Sequence, residues 1–335
     1  MTYHELRKAG TNLSATLRRL IGWKGIGLVI SLSIAALAFV ALADAIKTID
    51  GDRVLAAIWA TDHARIALAA VLVAASYGSL TLYDLLALRE IGHHHIRYPV
   101  AALAGATSYP IAHGVGAVLP VSSAIRYRIY SNHGLGAVDV AKICFLTGLT
   151  FWLGNLTALA LSVCYQPDSL GLIDRAPASI NRLLALAMLL AIAGYLWWTW
   201  REPRRVGHQK WSVNLPAGRS ALLQIGIGVF DLGCAALALY VLIPPEAQIP
   251  AARVIAVFIA ATLLGFISHS PAGLGVFDAT ILVGLGVADE NQLVAALLLF
   301  RLLYHFSPFV LALAVFIFRE GRKMLTNHAR LKRHV

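Results

Sequence analysis

Three carboxylates and one guanidinium stand within or beside long apolar runs of this chain: Asp84, Asp231, Asp278 and Arg301. A charge at the centre of a membrane-crossing helix costs roughly 2.5–3.5 kcal/mol on insertion scales, so such residues mark function unless they only pair with one another. The chemistry open to them is charge recognition, in which a carboxylate holds an ammonium and a guanidinium holds a phosphate through two parallel contacts. Each also has a plainer role. Asp84 is near enough to the end of its run to pair with Arg89, Asp231 and Arg301 suit a structural pair between helices, and Asp278 suits capping of its own helix start.

The stretch Ile267 to Asp278, ISHSPAGLGVFD, interrupts an apolar region with His269, Pro271, Gly273 and Gly275. Between hydrophobic runs this predicts a broken helix, whose free backbone groups have no water to bond at membrane depth. A helix leaving Gly273 and Gly275 offers free N–H groups and partial positive charge to an anion such as a phosphate, and glycine lets the ligand come close. A similar string, Ile111-Ala112-His113 followed by Gly114-Val115-Gly116, lies in the first half of the chain. His113 and His269 both fall at these breaks, where they suit either a site or a bond to loose carbonyls. Arg126, Arg128 and Tyr130 follow the first break, as phosphate ligands or as anchors at the inner face.

The elements that position these residues are membrane helices. Hydrophobic residues make up 59% of the 335 and charged residues 13%, which excludes an ordinary soluble domain. Spans of about 20 apolar residues are expected at Ile26 to Ile46, Ile66 to Leu88, Val138 to Cys164, Leu183 to Trp200, Leu222 to Ile243 and Leu293 to Phe318. The first is too long for a signal-peptide core and follows a basic leader, so it is expected to stay uncleaved. Cys144, Cys164 and Cys234 have no paired spacing and read as small core residues. The adjacent histidines 93 to 95 lack the partners of a metal site, and no metal or other cofactor is expected. The net charge of +11 sits in loops and tails beside spans, a topology signal rather than a nucleic-acid surface.

That signal is expected to place both termini in the cytoplasm of a multi-pass membrane protein. If Val100 to Pro120 crossed the membrane, the loop holding Arg201, Arg204, Arg205, Lys210 and Arg219 would face outward, against the positive-inside rule. A re-entrant hairpin over 99–121 avoids this, with about eleven residues, or roughly 17 Å of helix, on each side of Pro110. The same bookkeeping makes 251–287 a second hairpin entering from the opposite face. The expected fold is an all-α polytopic membrane protein of about six full spans plus two re-entrant hairpins. It divides into a leader (1–25), a first repeat (26–165), an outside loop (166–180), a second repeat (181–318) and a basic tail (319–335). The order span, span, hairpin, span occurs twice with opposite orientation, the inverted-repeat plan of many secondary transporters.

Four strings together carry a resemblance: Tyr83-Asp84-Leu85-Leu86-Ala87-Leu88-Arg89, Ile125-Arg126-Tyr127-Arg128-Ile129-Tyr130-Ser131, Pro271-Ala272-Gly273-Leu274-Gly275-Val276-Phe277-Asp278, and Arg301-Leu302-Leu303-Tyr304 through Pro308. In this order, over nearly the whole chain, they resemble the membrane flippase domain of the multiple peptide resistance factor, the lysylphosphatidylglycerol synthetase/flippase family, and its related inner-membrane proteins. The resemblance implies movement of aminoacylated phosphatidylglycerol to the outer leaflet, which lowers negative surface charge and repels cationic antimicrobial peptides. Full-length relatives continue into further spans and a soluble transferase domain, so the chain is expected to be a stand-alone flippase or the N-terminal part of a longer protein, without transferase activity. Members often carry Glu where this chain has Asp278 and Gly where it has Ala272, which leaves the lipid open.

The expected ligand site therefore comprises Asp84, His113, Gly114, Gly116, Arg126, Arg128, Tyr130, Asp231, His269, Gly273, Gly275, Asp278, Arg301 and Tyr304, with a phospholipid as substrate. A separate aminoacyl-phosphatidylglycerol synthase and a second copy of the chain are the partners considered, and nucleic acid is not. Two other functions stay open at this point. One is a lipid-modifying membrane enzyme using His113 and His269 as acid and base; the other is a scaffold for a separate synthase. No nucleophile elbow, Walker loop or zinc spacing supports hydrolytic or ATP-driven chemistry.

Overall fold

Apolar runs of the expected length do become long helices. The computed structural model describes residues 51–202, 204–208, 212–268, 273, 275–286 and 290–331, so the expected first span, Ile26 to Ile46, lies outside the described residues. In order, α1 (Gly51–Ala60) and α2 (His63–Glu90) precede a helical pair, α3 (Tyr98–Val115) and α4 (Val118–Tyr130), and then α5 (Ala137–Tyr165). Next come α6 (Ala178–Arg201), a two-residue antiparallel ladder β1 (Arg205–Val206) and β2 (Val213–Asn214), and α7 (Arg219–Leu242). A second helical pair follows, α8 (Ala251–Ser268) and α9 (Val276–Leu285), then α10 (Glu290–Arg301), a π-helical segment Leu302–Phe306, and α11 (Ser307–Leu331). Among the described residues, five helices are long and apolar enough to cross a membrane: α2, α5, α6, α7, and the run from Gln292 to Arg322 that joins α10 to α11.

The centre is the antiparallel pair α2 and α7. The Arg65 guanidinium at the start of α2 donates to the Ile243 carbonyl just past the end of α7. At the other end, the Ser220 hydroxyl on α7 donates to the Glu90 carboxylate on α2. Glycines set how closely helices approach this pair. Gly154 of α5 meets Gly228 of α7 backbone to backbone, where a Cβ on the first would fall 2.5 Å from the Cα of the second. Gly105 lets α3 lie against the backbone of Leu80 and Thr81 in α2.

Two separate apolar cores flank the centre. One joins Ala69 and Val73 of α2 and Leu239 and Leu242 of α7 to Val254, Ile281 and Leu297, so it gathers α8, α9 and α10 at the Arg65 end. The other joins Ala87 and Leu88 to Ala101, Ile125, Ile129 and Phe316, gathering α3, α4 and α11 at the Glu90 end. Each helical pair thus belongs to one core, and the open ends of the two pairs lie at opposite ends of α2.

The turn of the first pair departs from expectation. Pro110 sits inside α3, not at the apex. The chain reverses at Gly116, whose φ of +81° is the left-handed conformation that ends helices and favours glycine. The arms are therefore 18 and 13 residues long, unequal rather than matched about the proline. The second pair reverses through Gly273 and Gly275, at φ of +66° and +83°, as the glycine spacing suggested.

Candidate functional site

The first arm-to-span contact places Arg126 against Asp84. Arg126 lies on α4 and Asp84 two turns from the end of α2, and the guanidinium donates from Nε to Oδ1 at 2.9 Å and from its terminal nitrogen to Oδ2 at 2.8 Å. Tyr130, one turn after Arg126 and so on the same face, donates its hydroxyl to Oδ1 at 2.8 Å. The Tyr109 ring of α3 covers the guanidinium at 4.8 Å. This corrects two expectations: Asp84 does not pair with Arg89, which donates instead to the His94 carbonyl. Moreover, Arg126, Arg128 and Tyr130 belong to the second arm of the pair and do not follow it. Arg128, two residues on and facing elsewhere, pairs with Glu320 of α11 at 2.7 Å.

In the second half the pairing uses other elements. Asp278, in the first turn of α9, accepts from Arg301 at the end of α10, Nε to Oδ1 at 2.8 Å and the terminal nitrogen to Oδ2 at 2.6 Å. The same carboxylate accepts the Gly275 backbone N–H at 3.1 Å, capping its own helix as the sequence suggested. The plainer reading of Asp231 and Arg301, a structural pair with each other, does not hold: Arg301 is held on Asp278. Directly after Arg301 the backbone widens into the π-helical segment, a local insertion often found at functional sites. It carries Tyr304 and His305 into an aromatic group in which Tyr304 stacks on Phe300 at 5.0 Å and Phe277 on Phe300 at 6.2 Å.

The two ion pairs differ in exposure. Asp84 and Arg126 are 0% and 2% exposed and are closed off. Asp278 and Arg301 are 26% and 11% exposed, so a ligand can reach them.

The tips of the two helical pairs meet. His113, near the end of α3, bonds through Nδ1 to the Tyr109 carbonyl at 2.7 Å and presents its ring to the edge of Phe266 on α8 at 5.3 Å. Gly114 beside it is covered by the Phe309 ring of α11, close enough that any Cβ would collide. His113 at one tip therefore meets the last turn of α8, while Gly114 packs against α11. His269 lies outside the described residues.

Asp231 stands apart from both ion pairs. It sits mid-way along α7, 3% exposed, and accepts from the Ser76 hydroxyl at 2.5 Å and the Tyr83 hydroxyl at 3.2 Å, both on α2. Ser76, Tyr83 and Glu320 were not picked out by sequence reasoning. Ser76 and Tyr83 are seven residues apart, the spacing of one helix face, and that signal was present; Glu320 was hidden in a tail read only for its basic charge. His93 approaches Asp139 at 3.8 Å, and among the described residues no three metal-ligating side chains converge.

Sequence comparison places the chain among bacterial membrane proteins. No protein-family model matches the chain. It is 30% identical over 260 residues to the uncharacterized protein slr0712 of Synechocystis, covering 77% of this chain and 80% of that one. It is 28% identical over 286 residues to the inner membrane protein YbhN of Escherichia coli, covering 82% and 86%. A 99-residue stretch is 38% identical to the phosphatidylglycerol lysyltransferase of Staphylococcus haemolyticus, which is 28% of this chain and 12% of that protein.

Proposed function

Because the chain belongs to the family that joins these membrane proteins to the flippase domain of the multiple peptide resistance factor, we propose that it moves a phospholipid with an anionic or aminoacylated head group, lysylphosphatidylglycerol foremost, between the leaflets of a bacterial inner membrane. The observation that carries this is the reachable Asp278–Arg301 pair at a broken helix, beside the meeting point of two helical tips.

Separating Asp278 from Arg301 leaves two partly exposed charges without a partner unless something replaces both. A head group bearing both a phosphate and an ammonium supplies a replacement for each partner at once. The phosphate takes the Arg301 fork and the free N–H groups at the start of α9, while the ammonium takes Asp278. His113, Gly273, Gly275 and Tyr304 border this exchange. The Asp84–Arg126–Tyr130 group is the corresponding closed lock of the other helical pair. Rocking one repeat against the other would open the two locks in turn, giving alternating access.

In this reading the two helical pairs are re-entrant hairpins dipping from opposite faces, with both termini in the cytoplasm as the basic loops require. Outward movement of a lysyl lipid lowers the negative charge of the cell surface and so contributes to resistance to cationic antimicrobial peptides. A separate aminoacyl-phosphatidylglycerol synthase supplies the lipid, and a second copy of the chain can complete the assembly.

The test is leaflet exchange of a fluorescent lysyl lipid in liposomes holding the purified full chain. Movement by the wild type, and its loss in Asp278→Asn and in Arg301→Gln, are expected. Equal movement in all three would sink the site assignment. Absence of movement by the wild type, with a transferase co-purifying from cells, would point to a scaffold instead.

A further inference from the structure

Among the described residues, Asp84, Asp231 and Glu320 are buried carboxylates and Asp278 is a partly exposed one; Glu320 is held by Arg128, and the fold treats Asp231 differently from the rest. Asp84 and Asp278 each receive the full two-pronged fork of an arginine. Asp231, 3% exposed, receives hydroxyls only among the described residues. An ionised carboxylate in an apolar interior needs a counter-charge or several strong donors, and two hydroxyls supply neither.

The neighbours do not make up the difference. The other titratable groups facing Asp231 are the hydroxyls of Tyr77 and Tyr83 on α2, Tyr109 on α3 and Tyr304 in the π-helical segment, with the Cys234 thiol one turn along α7 itself. Among the described residues, α5, α8 and α10, which also pack on α7, bring no charged group to it. Tyr77 donates its hydroxyl elsewhere, to the Tyr304 carbonyl at 2.8 Å, and the Tyr83 ring meets Tyr109 edge to face at 6.0 Å. Tyr109 in turn stacks on His113 at 6.3 Å. A file of polar-tipped rings thus leads from Asp231 to the tip of the first helical pair, where the two repeats touch.

We propose that Asp231 takes up and releases one proton in each transport cycle, and that this proton couples lipid movement to the proton gradient. In the conformation described here the carboxyl holds the proton and is neutral, while its Oδ1 accepts the Ser76 hydroxyl at 2.5 Å and its Oδ2 accepts the Tyr83 hydroxyl at 3.2 Å. Rocking of the first helical pair moves Tyr109 and His113 away and opens the carboxyl to water, where the proton leaves and a carboxylate remains. Return of the pair requires a proton to be taken up again, because among the described residues the closed site holds no cation to balance the charge. The coupling rests on the transport function proposed above; the protonation of Asp231 does not.

Two measurements on the purified full chain separate these parts. In infrared spectra, a carboxylic acid C=O band that shifts on exchange into heavy water is expected in the wild type. It should vanish in Asp231→Asn, persist in Asp84→Asn, and return with a changed frequency in Asp231→Glu. A band that survives Asp231→Asn would overturn the proposal. In liposomes, the steady-state leaflet ratio of a fluorescent lysyl lipid is expected to follow an imposed pH gradient. One proton per lipid gives up to about tenfold per pH unit, and the response should be absent in Asp231→Asn. Lipid movement by the wild type that ignores the gradient would overturn the coupling. Absence of any movement by the wild type would instead count against the flippase function, leaving the infrared result to decide whether Asp231 holds the proton.

Discussion

The ring of His113 meets the edge of Phe266 at 5.3 Å, and these residues stand at the tips of two helical pairs whose open ends lie at opposite ends of the bundle. The contact joins the two halves of the chain where their helices break. It is therefore the place where relative motion of the halves is most readily arrested.

In a background lacking Cys144, Cys164 and Cys234, the pair His113→Cys and Phe266→Cys is expected to cross-link with a short thiol reagent. Cross-linking should stop lipid exchange in liposomes, and reduction of a cleavable linker should restore it. Complete cross-linking with undiminished exchange would show that the tips do not separate during transport.

Arg126→Leu leaves the Asp84 carboxylate buried without its fork, and the bundle is expected to lose about 3–5 kcal/mol. The double variant Asp84→Leu, Arg126→Leu should regain much of this, because it removes the stranded charge as well. Thermal unfolding in detergent checks the order of the three proteins; a double variant less stable than Arg126→Leu would refute the explanation.

Arg301→Lys keeps the charge but loses the planar fork on Asp278. Loss of one charge-assisted bond of about 1.5–3 kcal/mol predicts at least about a tenfold fall in lipid exchange. Stability should fall less than in Arg126→Leu, since this pair is partly exposed. Exchange rates and melting temperatures measured side by side test the difference.

Gly154→Ala places a methyl group 2.5 Å from the Cα of Gly228, where backbone meets backbone. Neither helix has a flexible side chain there to yield, so α5 and α7 must part, at an expected loss of about 1–3 kcal/mol. Gly148→Ala on the same helix meets no atom within 4 Å and should leave the melting temperature unchanged.

The sequence alone determined the membrane class, the approximate bounds of α2, α5, α6 and α7, and the break at Gly273 and Gly275. These are local properties: an apolar run of sufficient length must be a helix in lipid, and glycine at positive φ ends it. It also singled out the charged residues, because a charge in an apolar run is conspicuous without any coordinates. What only the tertiary structure decided is who partners whom. Arg89, five residues from Asp84, was the nearer candidate, yet Arg126, 42 residues away, takes the carboxylate because the α3–α4 pair folds back along α2. Asp231 and Arg301 looked matched in depth, yet α9 brings Asp278 to Arg301 and leaves Asp231 with Ser76 and Tyr83. Proline suggested the apex of the first pair, but a helix surrounded by other helices tolerates Pro110, and the reversal waits for Gly116. Pairings of this kind depend on which helix faces pack together, and that is settled by close approaches such as Gly154 on Gly228, which no single run of residues contains.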